Sequence, residues 1–143
     1  MKAINYNFPE QQIFLIAAEP ETLYATSQKL KDYTVDNFSK LNKMLSFSQI
    51  EWANILHISD RTLQRYIKER KSFEGLHAEH LYQLENMAKL ALEVFSSPEK
   101  VKVWLQDSKQ VLGKTLDFST LQSFWGVKLL SNELGRIAHG VYI

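Results

Sequence analysis

From Gln49 to Lys68 the chain sets one small residue among large apolar ones at intervals that suit two short helices crossing at a steep angle. In a frame that starts at Gln49, Ala53 falls at the fifth position, where such helices approach most closely. Trp52, Leu56, Ile58, Leu63 and Tyr66 then fall at the inward positions that fill the angle. Ser48-x-x-Glu51 has the form of a capping box for the first helix. Ser59 is a good N-cap for the second, and Asp60 in its first turn is favoured by the helix dipole. His57 holds the ninth position, where Gly usually makes the turn, so a less relaxed backbone is expected there. The pattern is that of a helix-turn-helix.

Once Leu63 and Tyr66 point inward, the second helix turns Arg61, Thr62, Gln64, Arg65 and Lys68 outward. These side chains suit guanine edges, adenine edges and phosphates. The charge distribution agrees. The chain has 17 Lys+Arg against 16 Asp+Glu, but residues 61–71 hold five basic side chains and one acidic. Charge alone does not separate a nucleic-acid face from a solvated one; its coincidence with the outward face of the second helix favours the first. One such unit makes few phosphate contacts, so a dimer on two half-sites is expected.

The rest of the chain reads as helical. Val35, Phe38, Leu41 and Leu45 mark a helix, and Leu81, Leu84, Met87 or Ala88, Ala91 and Val94 or Phe95 stripe a long one from about 78 to 95. Ser97-Pro98-Glu99 starts another, to about Gln106, with Ser as cap and Pro at the first helical position. Pro20 suits the first turn of a helix running to about Tyr33. Gly113 opens a loop, and Asp117 or Ser119 can cap a short helix through Leu121 and Phe124. A last helix is expected over about 127–138, stopping at Gly140. With no Asn-Gly or Asp-Gly hairpin signal, no sheet is required and the expected fold is all-α.

The last helix carries Val127, Leu130, Leu134 and Ile137 on one face and Lys128, Asn132, Arg136 and His139 on the other. Gly135 inside it costs about 1 kcal/mol relative to Ala, a cost best accepted where a neighbour approaches closely. The apolar ending Val141-Tyr142-Ile143 frays unless it docks on its own domain or into a partner.

Composition excludes several classes of function. With no Cys, disulfide scaffolds, thiolate metal sites and thiol catalysis are ruled out, in keeping with a reducing cytoplasm. The longest apolar run, Ile13–Ala18, is far short of the ~20 residues of a membrane span. The first residues do not read as a signal peptide, so a soluble cytoplasmic protein is expected. His57, His77, His80 and His139 are the only histidines; three convergent metal ligands are not assured among them, and no metal is expected. Neither a Gly-x-Ser-x-Gly elbow nor a glycine-rich phosphate loop occurs, so the expectation is of no enzyme and no cofactor.

The ending LSNELGRIAHGVYI, the segment LSFSQIEWANILHISDRTLQRYIKERKSF and the stretch from Leu112 to Gly126 together resemble the Xre/MbcA/ParS antitoxins. The resemblance covers about residues 40–143. It implies a homodimeric antitoxin of a type II toxin–antitoxin pair, whose partner is a RES-domain toxin that consumes NAD and is encoded beside it. It also implies autorepression at operator DNA and occlusion of the toxin's active site. Carried over by motif, the toxin-facing residues are Arg136, His139, Gly140, Val141, Tyr142 and Ile143. The family often has Glu before the His-Gly pair, where this chain has Ala138. The organisation expected is an extension over 1–34, a helix-turn-helix region over 35–75, a connecting helix over 76–97 that could dimerise, and a toxin-binding domain over 98–143. The rival is a stand-alone helix-turn-helix repressor whose carboxy-terminal half dimerises or senses a small molecule.

Overall fold

A computed structural model describes residues 31–140. The apolar run at 13–18, nearly all of the helix expected from Pro20, and Val141, Tyr142 and Ile143 lie outside the described residues. The described part is mostly helical: α1 (Val35–Leu45), α2 (Gln49–Leu56), α3 (Asp60–Glu69), α4 (Gly75–Phe95), α5 (Pro98–Gln106) and α6 (Phe124–Ala138). Between α5 and α6 come strands β1 (Lys109–Val111) and β2 (Lys114–Leu116) and one 3-10 stretch, Phe118–Gln122.

Local chemistry sets the boundaries. Thr34 caps α1 by accepting from Asn37 N at 3.1 Å, and Val35, Phe38, Leu41 and Leu45 are its buried residues. Ser97 caps α5 by accepting from Lys100 N at 3.2 Å, with Pro98 at the first position. Helices α1 to α4 each end on a residue in the left-handed region: Ser46, His57, Arg70 and Ser96.

Three expectations are corrected. The helix expected to run to Tyr33 does not reach it: Tyr33 is extended, exchanges two 2.8 Å backbone bonds with Phe73, and buries its ring. An extended Thr34 is needed for the cap of α1, so a helix cannot continue through it. The loop expected at Gly113 is instead a β-hairpin with Val111 opposite Lys114, so the fold is mostly helical rather than free of strands. Its two-residue turn, Leu112-Gly113, has φ of 51° and 80°, the primed geometry that matches strand twist. The short helix expected through Phe124 stops at Gln122. Ser123 is extended and accepts from Gly126 N at 2.9 Å, so Phe124 opens α6.

The long helix α4 packs against α6, α1 and α5. Its Ala78, Leu81, Leu84, Met87, Ala88 and Ala91 are buried. Burying each Leu or Met contributes about 1.5–3 kcal/mol. One apolar cluster takes in Leu41 of α1, Leu56 of α2, Leu63 of α3, Leu105 of α5 and Leu134 of α6. Trp52 anchors it, edge-on to Phe38 at 4.9 Å between ring centroids, while its Nε1 donates to Asn42 Oδ1 at 2.7 Å. Asn42 Oδ1 also accepts from Phe47 N at 3.1 Å. Phe47 in turn meets Phe118 at 5.0 Å, tying the α1–α2 corner to the 3-10 stretch.

The closest backbone approach is at Gly126, not at Gly135. A Cβ on Gly126 would lie 1.9 Å from the Thr120 carbonyl oxygen, whereas one on Gly135 meets nothing within 4 Å among the described residues. Among the described residues no close neighbour stands at Gly135.

Candidate nucleic-acid interface

The α2–α3 pair begins with the capping box read from the sequence. Glu51 N donates to Ser48 Oγ at 3.1 Å and Ser48 N donates to Glu51 Oε1 at 2.8 Å. Helix α2 buries Trp52, Ala53, Ile55 and Leu56, which leaves its end facing the core. His57 then reverses the chain with φ 60° and ψ 39°. Its position leaves Ile58 N to donate to Ala53 O at 3.1 Å, closing the helix end. The His57 ring does a second job: Nε2 donates to the Gln122 carbonyl at 2.7 Å. Ser59 caps α3, accepting from Thr62 N at 3.0 Å.

Helix α3 is held by one face. Leu63 is fully buried, and Tyr66 and Ile67 are half-buried against the cluster. Tyr66 stacks on Phe73 at 5.2 Å. The opposite face carries Arg61, Gln64, Arg65 and Lys68, all exposed. Among the described residues Arg61, Arg65 and Lys68 form no ion pair. Arg65 sits with its guanidinium carbon 5.9 Å from the Tyr66 ring centre, and Lys71 Nζ lies 4.9 Å from the same ring.

Thr62 departs from the outward set. It is half-buried, and its hydroxyl accepts from Ser59 Oγ at 2.8 Å, so it serves the cap of α3 as much as the surface. Asp60 favours the helix dipole by its place in the first turn and also ties two glutamines. Gln49 Nε2 donates to its Oδ1 at 2.8 Å and Gln64 Nε2 to its Oδ2 at 3.4 Å. The first bond fixes the start of α2 against the start of α3. Arg70 leaves the cationic face altogether: it ends α3 at φ 53° and pairs with Asp36 of α1. Nothing local in the sequence signals that pair.

The residues expected to face a partner at the carboxy-terminal end are partly placed. Arg136 is half-buried, and its Nε and Nη2 both donate to Glu133 Oε1, at 3.1 and 2.6 Å. His139 and Gly140 are exposed, with Gly140 at φ 68° after the end of α6. Val141, Tyr142 and Ile143 lie outside the described residues.

His80 serves packing. His80 is buried in α4 and its Nε2 donates to the Leu121 carbonyl at 2.8 Å. Burial lowers its pKa from 6.5; the Leu121 carbonyl opposes that, and His57 and His77 add to it. Among the described residues no three His, Asp or Glu converge in a way that could hold a metal ion. No described helix is long and apolar enough to cross a membrane.

No protein-family model matches the chain, and no curated protein matches it.

Proposed function

We propose that the chain is the antitoxin of a type II toxin–antitoxin pair, reading operator DNA through α3 and neutralising a RES-type toxin through its carboxy-terminal end. The observation that carries the DNA half is the split of α3: Leu63 fully buried, with Arg61, Gln64, Arg65 and Lys68 exposed and no ion pair on its cations among the described residues. Arg61 and Arg65 are one turn apart and can each reach a guanine edge, Gln64 an adenine edge, and Lys68 a phosphate. A homodimer would set two such helices about 34–36 Å apart on a two-fold operator.

The antitoxin half is supported by the likeness of the ending LSNELGRIAHGVYI to the Xre/MbcA/ParS family. In this reading the apolar tail from Val141 to Ile143 fills the toxin's cleft and Arg136 meets acidic or phosphate-binding features there. No catalysis and no cofactor are assigned to the chain. Binding, not turnover, is its activity.

The test is co-expression with the product of the adjacent gene. The full chain should co-purify with that protein and restore growth. Deleting Val141–Ile143 should weaken protection while leaving DNA binding intact. Full protection by the truncated chain would remove the tail from the mechanism. A chain that purifies alone, beside a harmless neighbour, would leave a stand-alone repressor.

A further inference from the structure

We propose that the groove between the hairpin tip and α6 is part of the toxin-docking surface, and that Leu112 is its anchor, seated against an aliphatic side chain of the toxin. This rests on the reading of the chain as an antitoxin. The groove has a volume of about 100 Å³ and is walled by Val111, Leu112 and Leu129 on its apolar side and by Lys114, Asn132 and Arg136 at its rim. A cavity of about 150 Å³ is known to hold benzene, so this smaller one suits a single side chain rather than a cofactor or nucleotide.

Leu112 is 78% exposed and sits at φ 51°. Both are unfavourable in the free chain. A primed two-residue turn favours Asn or Gly at this position, since a side chain strains the left-handed backbone. An apolar side chain in water adds nothing to the fold. Strain and exposure at one residue are accounted for together if a partner covers the tip.

Charge selects the kind of partner. The groove's rim holds Lys114 and Arg136; Arg136 is paired with Glu133, whereas Lys114 has no ion-pair partner among the described residues. Arg136 spends two of its five N–H donors on Glu133 Oε1, which leaves others for an incoming acceptor. The complementary surface is therefore an aliphatic side chain beside a carboxylate. Continuity selects the toxin over other proteins: Arg136 stands one turn before His139 and Gly140, so the groove extends the surface already assigned to it.

The experiment compares the full chain with Leu112→Asn and Lys114→Glu, titrating each against the purified product of the adjacent gene. Leu112→Asn gives the turn an Asn-Gly pair, so it should melt no lower than the parent and bind duplex DNA equally. Its affinity for the toxin should fall roughly tenfold to hundredfold, the value of one buried Leu. Lys114→Glu, at an exposed position, should also weaken toxin binding. Parent and variants binding the toxin alike would overturn the inference and leave the antitoxin reading standing. If the variants instead lose self-association while keeping toxin affinity, a second copy covers the groove and the inference also falls. A parent chain that fails to bind the toxin at all would overturn the antitoxin reading itself.

Discussion

The imidazole of His57 donates across 65 positions of sequence to the carbonyl of Gln122, at 2.7 Å from Nε2 to oxygen. His57 is the turn between α2 and α3, and Gln122 ends the 3-10 stretch before α6. One side chain thus sets the corner of α2–α3 and holds the start of the carboxy-terminal helix.

Substitutions at His57 separate those two roles. His57→Ala keeps the left-handed backbone and loses the bond, and should cost about 1 kcal/mol in chemical denaturation. His57→Gly loses the same bond but relieves the backbone, so it should cost less. Equal losses would mean that the turn is not strained.

Replacing Arg61 and Arg65 together by Ala should lower affinity for the DNA upstream of the gene by about 2–6 kcal/mol if both read bases. If they meet phosphates instead, the salt dependence should flatten by about two counterions. Both side chains are exposed, so the melting temperature should not move. Fluorescence anisotropy at several salt concentrations measures all of this.

Two glycines of α6 should respond with opposite signs. Gly126→Ala forces a Cβ onto the Thr120 carbonyl, 1.9 Å away, and should destabilise by about 3 kcal/mol. Gly135→Ala meets nothing within 4 Å among the described residues and should stabilise by up to about 1 kcal/mol. Paired urea titrations decide both.

Stability should fall with pH below 6.5 because of His80. Its pKa is lowered in the fold by burial, so between the folded and unfolded values the unfolded chain binds more protons. Stability is therefore fully present above 6.5 and is lost as pH drops toward the lowered value. His80→Gln, which keeps a donor near the Leu121 carbonyl, should flatten the melting temperature over that window. An unchanged slope would assign the acid sensitivity to other groups.

Elements defined by local chemistry were legible in the sequence. The Ser48–Glu51 capping box, the Ser97-Pro98 start, the α1 stripe and the inward set around Leu63 each depend on residues within a few turns of one another. The hairpin was not legible, because each strand has three residues and the turn is Leu-Gly rather than Asn-Gly. Tyr33 could be read as the end of a helix because its pairing with Phe73 and its 2.7 Å hydrogen bond to Glu85 come from distant segments. Gly135 is conspicuous in sequence by its mid-helix place, yet the crowded glycine is Gly126, whose neighbour Thr120 belongs to a separate element. On the exposed face of α3, Arg61, Gln64, Arg65 and Lys68 followed from period alone. The loss of Arg70 to Asp36 and the tying of Thr62 to Ser59 depended on partners that periodicity does not show.

The shared apolar cluster has a consequence for the lifetime of the protein in a cell. Leu63 beneath the exposed cationic face of α3 and Leu134 of α6 belong to the same cluster, so loosening one end removes packing from the other. A ligand that clasps α6 favours the closed form by mass action and so protects α3 from cleavage without touching it. Release of that ligand would expose both ends to degradation at once.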